Sequence, residues 1–481
     1  MPLFIGKIRY MSDKFNYVVL FVVFSALLSQ SQHAQSESLY EPYGAIRDKA
    51  LQAYQPDPAT SLDRRANFYW AHGQYAQAEP LYKQALTIRE KTLEPEHPDL
   101  ARSLTHLAVV YYEQRKYAQA EPLFKRALTL REKTLGPENV VLAKSLNNLA
   151  VLYHDQHKYA QAETLYKRAV AIKEKALGPE DPDLAASLND LAGLYDDQHK
   201  YAQAEPLYKR ALAIREKALG PEHPDVASSV HDLGVLYFHQ GKYAPSELFY
   251  RRALAIREEA LGPDHPEVAA SLDDLACLYR RKTKFAQAEL LYRRALAIRQ
   301  KAFGSEHPDV ATGLSALARL YHLQGRYAQS EPLYKRSVAV REKILGPQHL
   351  DLATDLHNLG ELYHDQGKYA QAEPLYRRAL SIREKQSRPE APDIVESLND
   401  LAGLYDSQGK YAQSEVCYKR AVATGERAFG PVHPDVAISL EKYAQLLRKT
   451  NRLSEARSLE ARAVAIRARL QRPVAKSHIY S

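Results

Sequence analysis

The chain has 481 residues, 66 Lys+Arg against 58 Asp+Glu, and a formal charge of +8. That length allows two or three ordinary domains, and so small a surplus among so many charges describes a solvated, slightly basic surface. Aromatic usage is lopsided, with 33 Tyr, 11 Phe and 1 Trp, as when one hydroxylated ring recurs at a half-buried position. The two cysteines, Cys277 and Cys417, exclude a disulfide framework and a cysteine-rich metal site. Both are expected as free thiols packed like small apolar residues.

At the N-terminus, Lys7, Arg9 and Lys14 precede an apolar run from Tyr17 to Leu28, and the polar Ser29 to Ser36 follows. Basic region, short apolar run and small-residue exit have the order of a secretory signal peptide over residues 1–36. A run of 12 residues is short for spanning a bilayer, and translation can start at Met1 or Met11. A second reading makes the run a degenerate repeat helix. Ile46-Arg47-Asp48-Lys49-Ala50-Leu51 falls 42 residues before Ile88-Arg89-Glu90-Lys91-Thr92-Leu93, so residues 37–55 read as a half-repeat. A repeat helix should be amphipathic, whereas this run is apolar all round. The expectation is therefore a signal peptide and an exported protein, periplasmic or secreted; without a working signal the location is cytoplasmic.

Beyond residue 55 the chain is periodic. Tyr-Ala-Gln-Ala-Glu starts at Tyr75, Tyr117, Tyr159, Tyr201 and Tyr369, with variants at Tyr243, Phe285, Tyr327, Tyr411 and Leu453, always 42 residues apart or a multiple of it. Ten tandem repeats are predicted over residues 56–471, the last one capping, with a flexible tail over 472–481. In the repeat 98–139, Pro98-Asp99 opens a helix, and Leu104, Leu107, Ala108 and Tyr111 fall on one face of it. A break at Arg115-Lys116 corresponds to Gly241, Gly325, Gly367 and Gly409 elsewhere. The second helix carries Ala120, Leu123, Phe124, Ala127, Leu128 and Leu130, with Pro122 expected in its first turn. Glu121 and Lys125 form an i,i+4 pair.

The small-large spacing of Leu107, Ala108, Tyr111, Ala120, Phe124 and Ala127 resembles the tetratricopeptide repeat. Stretches such as Ala211 to Ala227 resemble more narrowly the long repeats of the kinesin light chain family. The resemblance implies an all-α fold, a right-handed superhelical solenoid of helix-turn-helix repeats. No heptad segment of the kind that joins a light chain to its motor is found, so it does not imply a motor subunit.

The chemistry-bearing candidates are periodic. His97, His223, His265, His307, His349 and His433 hold one position in successive repeats. They are expected to cap helices, because stacked repeats cannot bring them to one ion. Gly-Lys pairs at Gly241, Gly367 and Gly409 are followed by Tyr and lack the context of a phosphate loop. No catalytic constellation, cofactor site or metal site is read, and the chain is expected to be non-enzymatic.

In the family resembled, the first helix of each repeat lines a concave groove. Phase places Asn147, His154, Asn189, Asp197, His231, Asp273, Arg280, Arg281, Arg319, His322, His357, His364 and Asn399 there. Gly193 and Gly403 would leave room for a ligand backbone. Alternating acidic and basic patches exclude the continuous track that nucleic acid favours. The resulting expectation is a scaffold holding a peptide or helix of a partner protein; the alternative is an exported assembly element that self-associates through its ends.

Overall fold

The computed structural model describes residues 57–71, 73–386 and 392–471. The signal peptide at 1–36, the half-repeat at 37–55 and the tail at 472–481 lie outside the described residues. Two compact bodies divide the chain after Pro137. The first holds α1 (Pro58–Ala71), α2 (Tyr75–Thr92), α3 (Pro98–Glu113) and α4 (Tyr117–Leu135). The second begins with α5 (Val140–Asp155), α6 (Tyr159–Leu177), α7 (Pro182–Asp197), α8 (Tyr201–Leu219), α9 (Pro224–His239) and α10 (Tyr243–Leu261). It continues with α11 (Pro266–Arg281), α12 (Phe285–Phe303), α13 (Pro308–Leu323), α14 (Tyr327–Leu345) and α15 (Leu350–Asp365). It closes with α16 (Tyr369–Gln386), α17 (Pro392–Ser407), α18 (Tyr411–Phe429), α19 (Pro434–Lys449) and α20 (Leu453–Gln471). Odd-numbered helices are the first of each repeat. Among the described residues there is no strand.

Eight of the first helices start on a side-chain cap. Nδ1 of His97, His223, His265, His307, His349 and His433 accepts the backbone N–H two residues on, and Asn139 and Asp181 do the same with a side-chain oxygen. The expected capping role holds, and a cap of this kind contributes about 1 kcal/mol. The turn to the second helix needs a left-handed residue. Gly supplies it at 241, 325, 367 and 409, while Arg115, His157, His199, Thr283 and Asn451 adopt it with φ of 56–62°, despite the crowding of Cβ in that region.

One expectation is corrected. Pro122 is not in the first turn of its helix, which begins at Tyr117 and makes it the sixth residue; Pro80, Pro206, Pro332 and Pro374 sit likewise. The helix starts directly after the left-handed turn, earlier than the proline suggests. Pro122 is exposed, so water can satisfy the carbonyl that its missing N–H leaves free.

The core is built from small residues where helices cross and large ones between repeats. Ala108, Ala120 and Ala127 are fully buried in the first body, as are Ala150, Ala162 and Ala169 in the second. Leu146, Leu188 and Leu272 are equally inaccessible, each contributing about 1.5–3 kcal/mol by leaving water. Cys277 and Cys417 are half-buried free thiols, as expected.

The glutamate of the repeated Tyr-Ala-Gln-Ala-Glu string ties one repeat to the next. Oε1 of Glu247 accepts from Tyr279 Oη at 2.9 Å, while Oε2 accepts from Lys282 Nζ at 2.8 Å. Tyr195–Glu163, Tyr237–Glu205, Tyr321–Glu289 and Tyr363–Glu331 repeat the hydroxyl bond at 2.8–3.1 Å. Burial opposes ionisation of Glu247, but Lys282, Tyr279 and Arg251 outweigh it and hold the carboxyl down at about 2. This is why tyrosine so outnumbers phenylalanine: these rings are buried, not half-buried as their number suggested, packing by their faces and bonding by their hydroxyls.

Candidate functional site

Residues that depart from the repeat consensus gather on the first helices, and in the second body two ladders of polar side chains join successive first helices, with no rung between α11 and α13. In the outer ladder, near the C-terminal ends of these helices, His154 Nε2 meets Asp197 Oδ2 at 2.7 Å and Asp196 Oδ2 meets His239 Nδ1 at 3.0 Å. His322 meets Asp365 at 2.9 Å, His364 meets Ser407 at 3.1 Å, and Lys449 donates to Asp406 at 2.6 Å. In the inner ladder Asn147 donates to Asp190 at 2.9 Å and Asn189 to Asp232 at 2.8 Å. There His231 meets Asp274 at 2.8 Å, His357 lies 3.3 Å from Asp400, and Asn399 donates to Ser439 at 2.8 Å.

Ten of the thirteen residues singled out in the sequence are therefore already bonded within the chain. Nine of them make the rungs just described, and Asp273 pairs with Arg299 of its own repeat at 2.5 Å. Their charges are tuned by these contacts. Burial disfavours the imidazolium of His231, yet hydrogen bonds to Asp232 and Asp274 prevail and lift it to about 9. Hydrogen bonding to His154 holds the Asp197 carboxyl below its ordinary value.

The remaining three, Arg280, Arg281 and Arg319, stand where the outer ladder is interrupted. Continuing its spacing of 43 residues would pair Phe238 with Arg281 and Arg280 with Leu323, and neither is an ionic rung. Arg280 donates to Cys277 Sγ at 3.4 Å; Arg281 and Arg319 are exposed. Among the described residues none of the three has a carboxylate partner. Leu323, 53% exposed, lies at the same place. Nearby on α14, Tyr334 is fully buried and its hydroxyl makes no hydrogen bond among the described residues. The two first helices α11 and α13 thus present unpaired cations beside apolar surface.

Gly193 and Gly403 face the tyrosines of their own second helices: a Cβ would lie 3.5 Å from Tyr208 Oη and 3.8 Å from Tyr418 Oη, in ordinary contact. The six cap histidines are each engaged by their own helix and do not approach a common point. What the sequence reading missed is the spacing of 43 residues, one more than the repeat, at which complementary side chains recur. That offset was the available signal for both ladders.

Helix pairs stacked in tandem, with a faithful framework and variation concentrated on the first helices, define a helical-repeat protein. The chain belongs to the tetratricopeptide repeat family, whose sequence model matches residues 57–133, 141–217, 197–259, 246–301, 291–343, 309–385 and 393–469. No curated protein matches the sequence. Among solved structures it is similar to the nearly identical TPR-like repeats of a protein named as a kinesin light chain of Podosopora anserina, with 27% identity, 44% of this chain and 99% of that one covered, and a TM-score of 0.40. BtubC (BKLC) from P. vanneervenii is similar at 27% identity, covering 47% of this chain and 91% of that one, with a TM-score of 0.42. The apo form of RapI is similar at 14% identity, with 60% and 98% covered and a TM-score of 0.45. Among the described residues no helix is long and apolar enough to cross a membrane.

Proposed function

We propose that the chain is a non-enzymatic scaffold that holds an extended or helical segment of a partner protein along its first helices, with acidic side chains of that segment on Arg280, Arg281 and Arg319. The observation that carries this reading is the interrupted ladder. Elsewhere on this face histidine, asparagine and lysine side chains reach acceptors on the next first helix, whereas here three guanidinium groups stand without a carboxylate partner among the described residues, beside an exposed leucine. Arginine suits the role because its planar fork binds carboxylates bidentately. Stacked repeats contact only their neighbours and leave one continuous side of first helices for a ligand.

The test is capture of a fluorescent glutamate-rich peptide by the full chain and by an Arg280→Glu/Arg281→Glu variant. Reversing two charges should weaken capture at least tenfold, and salt should weaken it in the parent. Helicity by circular dichroism should stay the same, since Arg281 is exposed and Arg280 only half-buried. Equal capture by the two proteins would sink the assignment. Export of the chain by residues 1–36 is part of the same proposal, and N-terminal sequencing of the mature protein tests it.

A further inference from the structure

Near the C-terminal end of the array, α15 and α17 bring together three groups that are far apart in sequence. His357 is on α15, while Glu396 and Asp400 lie one turn apart on α17; one donor atom from each falls within 4.8 Å of the others. His357 Nε2 is 3.3 Å from Asp400 Oδ2, which is about the edge of a tetrahedron whose metal–ligand bonds are roughly 2.0–2.1 Å. The imidazole is buried and held against the Tyr376 ring at 5.3 Å between centroids. Its Nδ1 has no partner among the described residues.

The surroundings are arranged for a cation. Glu396 and Asp400 border a cavity of about 430 Å³ whose walls carry five carboxylates, Glu361 among them, against one ammonium, Lys442. Lys442 Nζ lies 3.4 Å from the other oxygen of Asp400 and cannot neutralise the rest. Asn399 lines the same cavity, is 6% exposed, and leaves its Oδ1 with no donor among the described residues. That buried, unpartnered acceptor is an observation independent of the carboxylates. The repeat itself supplies another. The Glu396 position is Arg, Lys, Ala, Ser, Thr or Ile in the other repeats, and the Glu361 position is Asn, Val, Gly, Cys, Arg or Gln. Both acids are additions to the framework, and neither makes an ion pair among the described residues.

We propose that His357, Glu396 and Asp400 form a divalent-cation site selective for zinc, bridging α15 and α17. One imidazole and two carboxylates are the donor set that zinc accepts and that calcium or magnesium, which take oxygen cages, do not prefer. Three protein ligands leave the fourth position open to water or to an incoming side chain. Bridging two successive first helices makes binding stabilise the array, because the bound ion favours the folded pair. This inference is independent of the arginine surface on α11 and α13.

The test is calorimetric titration of the full chain, stripped with a chelator, with zinc chloride. One ion per chain at micromolar affinity is expected, with a rise in melting temperature. Glu396→Gln, a change at an exposed side chain with no bonds to lose, should weaken binding at least tenfold, whereas His154→Gln at another His–Asp rung should leave it intact. Cobalt in place of zinc should give a visible ligand-field spectrum in the parent that Glu396→Gln alters. Absence of binding, affinity of Glu396→Gln within twofold of the parent, or displacement of zinc by equimolar calcium overturns the proposal.

Discussion

His231 offers a sharp check on how the polar rungs stabilise the array, because the chain contains its own control. The same position is Asn147 and Asn189 in the two preceding repeats, and each donates to an aspartate on the next first helix. His231→Asn should therefore keep the hydrogen bond to Asp274 and remove only the charge. The imidazolium is held to about 9 against an ordinary 6.5, by Asp232 and Asp274 working against burial and Arg257. A difference of about 2.5 units at 1.36 kcal/mol each sets an upper limit of about 3 kcal/mol for the contribution of that charge. The side chain is 23% exposed, so solvent takes a modest share. Since the folded-state value lies above the unfolded one, the stabilisation is complete below pH ~6.5 and disappears as pH rises through about 9. Urea unfolding of parent and variant at pH 6, 7.5 and 10 reads this directly, fitted with nearest-neighbour terms because repeat arrays need not unfold in one step. The gap should be largest at pH 6 and close by pH 10. A gap that stays constant with pH would refute the charge argument and leave only packing or hydrogen bonding.

Asp190 presents the opposite case. Burial raises its carboxyl to about 6 despite Lys173 and Arg215, so the stability tied to its protonated form is lost as pH rises through that value. Asp190→Asn, the residue found at Asn148 and Asn358, should stabilise the chain by about 1–2 kcal/mol at pH 7.5 and leave it unchanged at pH 4, as read by thermal melting at the two pH values. Two glycines should respond with opposite signs in one melting series. At Gly234 a Cβ would stand 2.6 Å from Cδ1 of the buried Tyr250 ring, so Gly234→Ala should cost about 1–3 kcal/mol. At Gly193 a Cβ would meet Tyr208 Oη in ordinary contact at 3.5 Å, so Gly193→Ala should gain about 0.5–1 kcal/mol from helix propensity.

The framework was legible in the sequence because it repeats. Ten samples of one unit expose the capping His, the left-handed turn residue and the small-large core spacing, each with a local physical cause. Pro122 was misplaced because proline is tolerated at an exposed position of the second turn as well as in the first, and composition alone does not separate the two. The role of Glu121 and its equivalents was half visible: the i,i+4 lysine lies on the same helix, but the tyrosine that bonds Glu247 comes 32 residues later from the next repeat. The ladders stayed hidden because they join positions one residue out of phase, such as His322 and Asp365, so alignment by repeat sets partners in different columns. The triad of His357, Glu396 and Asp400 was unreadable for a related reason. Only the stacking of α17 on α15 shows which of many periodic acids share space with a histidine.

The ladders also constrain how such an array can change its length. The tyrosine–glutamate links use the same pair of residues from Glu163–Tyr195 through Glu373–Tyr405, so loss of one of those repeats would rejoin them without a mismatch. The rungs do not behave this way. Excising residues 224–265 would bring Asp196 opposite Arg281 and Asn189 opposite Asp274, both complementary. Excising 266–307 would instead set His231 against Ala316 and Phe238 against Leu323, stranding a charged imidazole. The framework is thus indifferent to the order of its parts, while the first helices carry a sequence of pairwise addresses. Recombination between near-identical repeats is filtered by those addresses, because only some excisions leave complementary side chains opposite one another.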